Sequence, residues 1–183
     1  MAGQGSARYV YVKEYIRPQK GDRILDIGCG PGDIVKHLPK DVEYVGFDMS
    51  EEYITAAVKR FGYRATFLCR YLDKIALQEH SDFNIVIAIG VLHHLTDIQA
   101  KELFEFAYMA LKPGGRVITV DPVFFSNQPV VEHWLVSKDR GEYVRYDYDY
   151  PKLVSDKFSS VNTNLRSGLL RMPYSLFFME CCK

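Results

Sequence analysis

Apolar residues gather along this chain in short runs separated by glycine, proline and charged segments. Arg23-Ile24-Leu25-Asp26-Ile27 reads as a strand buried on both faces. Comparable runs follow at residues 42–48, 65–69, 82–90 and 116–121, that at 82–90 being the most continuous. Ser50-Glu51-Glu52 supplies an N-cap and an acidic first turn for a helix after the second run. Thr96-Asp97-Ile98-Gln99 has the form of a capping box. The helix it opens carries Ala100, Leu103, Phe104, Ala107 and Leu111 at a 3.6-residue period, and Lys112-Pro113-Gly114-Gly115 stops it.

The ends of the chain add less regular elements. Residues 1–20 form an N-terminal arm in which Tyr9 to Ile16 predict a helix over the sheet, ended by Pro18. Residues 127–138 predict a helix with Trp134 on its apolar side, and Pro151 opens another to about Phe158. Residues 160–165 and 175–181 read as the last two strands. The connector between them is too short for a helical crossover, so they pair antiparallel. The pattern predicts an α/β fold, a three-layer open twisted sheet of seven strands, mostly parallel with an antiparallel C-terminal strand, in one domain over residues 1–183.

Composition narrows the class. With 48% hydrophobic and 25% charged residues, the 183-residue chain is expected to be a soluble globular protein. Lys plus Arg equals Asp plus Glu at 23 each, so no global basic field points to nucleic acid. No apolar run approaches a membrane span, and the N-terminus lacks the apolar core of a signal peptide. Cys29, Cys69, Cys181 and Cys182 have no zinc spacing, and no metal site is predicted. Free thiols in a reducing cytoplasm are the expectation.

The candidate chemistry begins where the first strand runs into Gly28-Cys29-Gly30-Pro31-Gly32-Asp33. Glycines here let the backbone turn sharply and pass close to a ligand, and a helix from about Asp33 would offer free N–H groups to a negatively charged or electron-rich group. A dinucleotide fingerprint needs glycine where Asp33 stands. Asp26, inside the strand, would face a diphosphate poorly but suits a ligand carrying an ammonium group. Asp48, at the tip of the second strand, can accept hydrogen bonds from both hydroxyls of a ribose.

Asp26-Ile27-Gly28-Cys29-Gly30-Pro31-Gly32 resembles the first motif of the class I S-adenosylmethionine-dependent methyltransferases, an acidic residue followed by G-x-G-x-G. Leu92-His93-His94-Leu95, the Leu-Lys-Pro-Gly-Gly hairpin at residues 111–115 and Arg171-Met172-Pro173-Tyr174 resemble further segments of that family, and the likeness runs from about Gly21 to the C-terminus. It implies the Rossmann-like methyltransferase fold, with S-adenosylmethionine as cofactor and S-adenosylhomocysteine as product. Asp26, Gly28, Cys29, Gly30 and Gly32 would form the cofactor turn, Asp48 would hold the ribose, and Met49 would lie beside the adenine. Leu72 or Asp73 would meet the adenine amino group, Asp73 being equally readable as a solvated loop carboxylate. Ile89 and Gly90 would pass the methionine end.

A sulfonium methyl is already activated, so the chain mainly has to hold a nucleophile in line, and a general base is optional. His93 or His94 is a candidate base; the alternative is that one packs and the other binds backbone. Tyr9 or Tyr11 of the arm either closes the site or packs on the core. Residues 122–159 border the mouth of the site, where Tyr143 and Tyr146 either line a substrate pocket or seal a surface loop. The expected acceptor is a small molecule or lipid head, with no nucleic-acid partner; the oligomeric state is open. The rival readings are a non-catalytic cofactor-binding partner or regulatory subunit, and a nicotinamide-dependent oxidoreductase. Asp26 and the glycine spacing disfavour the second of these.

Overall fold

The computed structural model describes residues 7–183, so the first six residues of the predicted arm lie outside the described part. Eight strands form one sheet: β1 (Arg23–Ile27), β2 (Glu43–Asp48), β3 (Thr66–Cys69), β4 (Phe83–Ile89), β5 (Leu111–Phe124), β6 (Arg145–Tyr146), β7 (Ser160–Arg166) and β8 (Leu176–Cys182). The order is β3-β2-β1-β4-β5-β8-β7, with β6 beside the end of β5. β1 to β5 are mutually parallel, and β8 runs antiparallel between β5 and β7. The predicted sheet is therefore present, and the two-residue β6 is added to it.

Alternation along each strand splits the core between the two faces. Leu25, Val45, Val86 and Val117 point to one side, with Leu103, Phe104 and Ala107 of α4 (Asp97–Ala110). Ile24, Tyr44, Ile85 and Ile118 point to the other, with Ile54, Ala57 and Phe61 of α2 (Glu51–Phe61) and with the N-terminal arm. Each fully buried aliphatic side chain contributes about 1.5–3 kcal/mol, and the central strands carry such residues on both faces. This accounts for their near-continuous apolar sequence. Both predicted helix starts are built as expected: Ser50 Oγ accepts from the Tyr53 N–H, and Thr96 and Gln99 form a reciprocal capping box.

Several elements differ from the sequence expectation. The helix after the glycine turn is a five-residue 3-10 helix, Asp33–His37. Pro39 drives Leu38 into an extended conformation, which leaves too few residues for an α-helix, so no helix N-terminus is available there as an anion seat. α4 stops at Ala110, because Leu111 is already extended and paired with Phe83. α5 (Val130–Val136) buries Glu132 and Val136, so Trp134 faces outward rather than lying on the apolar side. Glu132 turns inward because its carboxylate accepts hydrogen bonds from the Ser175 N–H (2.6 Å) and Gln128 (3.3 Å). After Pro151 a 3-10 turn spans Tyr150–Leu153, held by the buried Tyr150 hydroxyl donating to the Pro122 carbonyl, and no helix continues to Phe158.

The arm consists of α1 (Ala7–Val10) and a π-helical turn, Tyr11–Ile16. Arg17 is left-handed at φ 45° and closes the turn, its N–H donating to the Val12 carbonyl at 2.8 Å. Tyr11 packs edge-on and Tyr15 stacks on Phe178 of β8, while Tyr9 meets His37. Among the described residues no helix is long and apolar enough to cross a membrane.

Candidate active site

The order of the strands reverses direction between β1 and β4, the place where open α/β sheets bind ligands outside the carboxyl ends of their strands. The glycine turn leaves β1 at this point and folds back onto β2, with the N–H groups of Gly28 and Cys29 both donating to the Phe47 carbonyl. Gly28, Gly30 and Gly32 all have positive φ, which explains the three glycines. Their surroundings differ. A Cβ on Gly28 would lie 2.6 Å from Val91, and one on Gly32 would lie 2.9 Å from Phe67. A Cβ on Gly30 would meet nothing within 4 Å. Gly28 and Gly32 are thus needed for packing, whereas Gly30 faces open space at the tip of the turn.

Two carboxylates belong to the turn, Asp48 at its tip and Asp26 on the strand that enters it. Asp48 Oδ2 accepts from the Gly30 N–H and Oδ1 from the Ser50 N–H, both at 2.8 Å, so Asp48 clamps the turn. A carboxylate has about four lone-pair sites, which leaves capacity for ligand hydroxyls. Asp26 is buried; Oδ2 accepts from the Tyr44 hydroxyl at 2.6 Å, while Oδ1 has no partner. Burial is the main influence on this carboxyl and outweighs the Tyr44 hydrogen bond, pushing its pKa up to about 7. An unpartnered buried oxygen is costly, and an ammonium group brought beside it would relieve that cost. The Gly30 cradle and the Asp26 oxygen together fit S-adenosylmethionine, which carries a ribose and an ammonium group.

The loop after β4 connects this turn to a second group of polar side chains. Val91 packs against Gly28, and His93 and His94 follow in a short 3-10 turn. His93 is buried; its Nδ1 lies 2.8 Å from Asp121 Oδ1, and its Nε2 lies 3.4 Å from Asp139 Oδ1. Tyr174 donates its hydroxyl to Asp139, and Asp121 Oδ2 has no partner. Burial raises the pKa of Asp139, but the Tyr174 hydroxyl, the Gly141 N–H and the two histidines outweigh it and hold the carboxyl below its usual range. His94 is exposed and lies against His93, with ring centroids 4.1 Å apart. Partial burial and then the neighbouring His93 lower its pKa. Arg145 braces the loop, donating to the carbonyls of Leu92 and Leu95 and pairing with Asp97.

A cavity of about 460 Å³ opens beside these histidines. His94, Asp139 and Tyr174 supply polar lining, Lys138 and Arg140 cationic lining, and Leu135, Leu170 and Met172 apolar lining. Its size suits a small acceptor.

The predicted residues divide accordingly. Asp26, Gly28, Gly30, Gly32 and Asp48 come together at the turn, with Met49 exposed beside Asp48. The Cys29 side chain points away from it, against Gly46, which leaves only its backbone for a ligand. Leu72 is a core residue, and Ile89 is partly buried against the opposite core. Asp73 caps α3 (Lys74–Glu79) through the Ala76 N–H at 2.7 Å and pairs with Arg70. Those bonds, the Ala76 N–H foremost, hold its pKa low. Tyr11 is in the core, where burial pushes its hydroxyl up to about 12. Tyr143 and Tyr146 lie outside the cavity lining, the Tyr143 N–H on the His93 carbonyl and the Tyr146 ring stacked on Tyr148. Sequence reasoning missed Asp121, Asp139, Arg145 and Tyr174. Asp121 had a signal, an acid near the end of a buried strand as at Asp48, and Tyr174 stood in the Arg171–Tyr174 segment that resembles the family.

A family model described as "Methyltransferase domain" matches residues 24–115. Ubiquinone biosynthesis O-methyltransferase of Idiomarina loihiensis is 27% identical over 129 residues, 68% of this chain and 50% of the relative. Phosphoethanolamine N-methyltransferase 1 of Triticum aestivum is 27% identical over 140 residues, 74% of this chain and 28% of the relative. The chain thus spans half or less of the length of these curated relatives. Among solved structures, phosphoethanolamine N-methyltransferase 2 of Haemonchus contortus superposes with a TM-score of 0.72 at 19% identity, over 96% of this chain and 52% of that one. An S-adenosylmethionine-dependent methyltransferase of Methanosarcina mazei superposes with a TM-score of 0.70 at 18% identity, over 91% and 94%. The match to the family model spans half of the sequence and includes the acidic glycine turn that the geometry marks as a ligand cradle; this chain belongs to the class I S-adenosylmethionine-dependent methyltransferase family.

Proposed function

We propose that the chain binds S-adenosylmethionine at the glycine turn and transfers its methyl group to a small-molecule or lipid-like acceptor held in the neighbouring cavity. The observation that carries this reading is the open space at Gly30, whose N–H Asp48 holds, together with the unpartnered Asp26 oxygen on the strand that enters the turn. When bound, the cofactor supplies a methyl group already activated by a sulfonium. Gly28, Cys29, Gly30 and Gly32 offer backbone contact, Asp48 accepts from the ribose hydroxyls, and Asp26 faces the ammonium group. Met49, exposed beside Asp48, borders the adenine end.

The chain's remaining task is to orient a nucleophile and, where it keeps its proton, to receive that proton. Of the two histidines, His94 is the candidate base. Both histidines line the cavity, but His94 alone is exposed to it, and its lowered pKa keeps a free lone pair on the ring at neutral pH. His93, held between Asp121 and Asp139, positions it. The test is incubation with methyl-labelled S-adenosylmethionine and a panel of phenols, amines, thiols and phosphate- or carboxylate-bearing amphiphiles, with label recovered in the acceptor. Absence of label with every acceptor, despite cofactor binding, would favour a non-catalytic binder.

Two outcomes follow for single variants. Asp48→Ala should weaken cofactor affinity roughly tenfold to a hundredfold by calorimetry while retaining a cooperative thermal transition, since charge-assisted hydrogen bonds are each worth about 1.5–3 kcal/mol. Unchanged affinity in the folded variant would remove Asp48 from the site. His94→Gln should lower kcat by about a hundredfold or more for a protonated acceptor. The wild-type rate should fall as acid protonates His94, at a pH below the ordinary imidazole range, and the variant should lack that limb. An unaltered pH profile would show that His94 is not the base.

A further inference from the structure

α5 presents three exposed apolar residues on one face. Val130 is 85% exposed, Val131 63% and Trp134 58%. Trp134 follows them by four and three residues, so the three side chains share one surface of the helix. The opposite surface is occupied, with Glu132 tied to Ser175 and Val136 in the core, so the helix cannot rotate to bury the exposed set. Immediately beyond the helix, Lys138 and Arg140 are exposed, and their side chains make no hydrogen bond or ion pair with another described residue. Of the acids near them, Glu132 is buried and Asp139 is held by Tyr174 and the Gly141 N–H, which leaves Glu142, exposed two residues past Arg140, as a single carboxylate against the two cations. Leu135, Lys138 and Arg140 also line the cavity, so the patch and the cavity mouth are continuous.

We propose that this face of α5 docks on an anionic lipid surface. Valines and an indole beside long cationic side chains are the composition of an interfacial helix face. The apolar set enters the acyl boundary, the indole sits at the headgroup level, and the cations pair with lipid phosphates. Charge complementarity selects an anionic bilayer over a second copy of this chain, because the copy would bring the same unpaired cations into apposition. Docking places the cavity mouth against the lipid surface, where an amphiphilic acceptor could enter head first. That delivery step rests on the proposed methyl transfer; docking does not, and it is measured without cofactor.

Trp134 is the chain's single tryptophan, so its fluorescence reports on the patch alone. Phosphatidylcholine vesicles with and without phosphatidylglycerol are added to the purified chain, and emission and co-sedimentation are followed. The expected result is a blue shift and sedimentation with the anionic vesicles, both reduced by salt. The partition coefficient should fall roughly tenfold in Lys138→Glu/Arg140→Glu and also in Val130→Ser/Val131→Ser. No shift and no sedimentation would overturn the proposal. So would equal binding to neutral vesicles, or a shift that follows protein concentration without vesicles, which would identify a self-association face.

Discussion

Gly30→Val is expected to abolish S-adenosylmethionine binding in a chain that still folds. The residue has φ +53°, so a β-branched side chain costs about 1–3 kcal/mol of backbone strain, which a domain with about 5–15 kcal/mol of stability can absorb. No protein atom lies within 4 Å of the new Cβ, so the isopropyl group meets no clash in the unliganded turn and instead fills the space assigned to the ligand. Calorimetry should show affinity reduced more than about a hundredfold, with a cooperative melt preserved; two lost close contacts of about 1.5 kcal/mol each already reach that factor. The neighbouring glycines provide the contrast. Gly28→Val drives into Val91 and Gly32→Ala into Phe67, so both should be lost chiefly as unfolded or aggregated protein. Normal binding by Gly30→Val would sink the proposed turn geometry.

The second large effect concerns Asp26, where binding and stability oppose one another. Its carboxyl titrates near 7 in the folded chain, mainly because of burial, against about 4 in an unfolded one. Between those values the folded state holds a proton that the unfolded state has released. Stability from this group is therefore fully present at the acid end and is lost as pH rises from about 4 to about 7. Three units correspond to about 4 kcal/mol as an upper bound. Asp26→Asn removes the titration, so the melting temperature of the wild type should fall relative to the variant between pH 5 and pH 8, in steps of several degrees per kcal/mol. The same substitution removes the charge proposed to face the cofactor ammonium, so affinity should drop roughly tenfold or more at pH 8. In the wild type, affinity should rise with pH through about 7, as the carboxyl becomes ionised. Parallel stability curves for the two proteins would show that Asp26 is ionised in the unliganded fold.

What could be read from the sequence was what neighbouring residues determine. The central strands have apolar side chains on both faces, and Ser50 and Thr96 carry their capping partners within three residues. The acid-glycine turn and Asp48 lie on adjacent strands whose pairing follows from the α/β pattern. What could not be read depends on distant partners. Trp134 faces solvent because Glu132 satisfies the backbone of Ser175, a contact across 43 residues. The His93 cluster draws Asp121, Asp139 and Tyr174 from three later segments, and Arg145 reaches back to Leu92 and Leu95. Two adjacent histidines therefore looked equivalent in sequence, yet the fold buries one between carboxylates and leaves the other exposed. The short helix after the turn failed for a local reason, the effect of Pro39 on Leu38.

The most direct single measurement is calorimetric titration of the purified chain with S-adenosylmethionine, S-adenosylhomocysteine and NAD in parallel. Saturable binding of the first two, absent for NAD and weakened in Asp48→Ala, is the expected result. Binding of NAD alone, or of none of the three to the folded chain, would contradict the assignment of the glycine turn as an S-adenosylmethionine site.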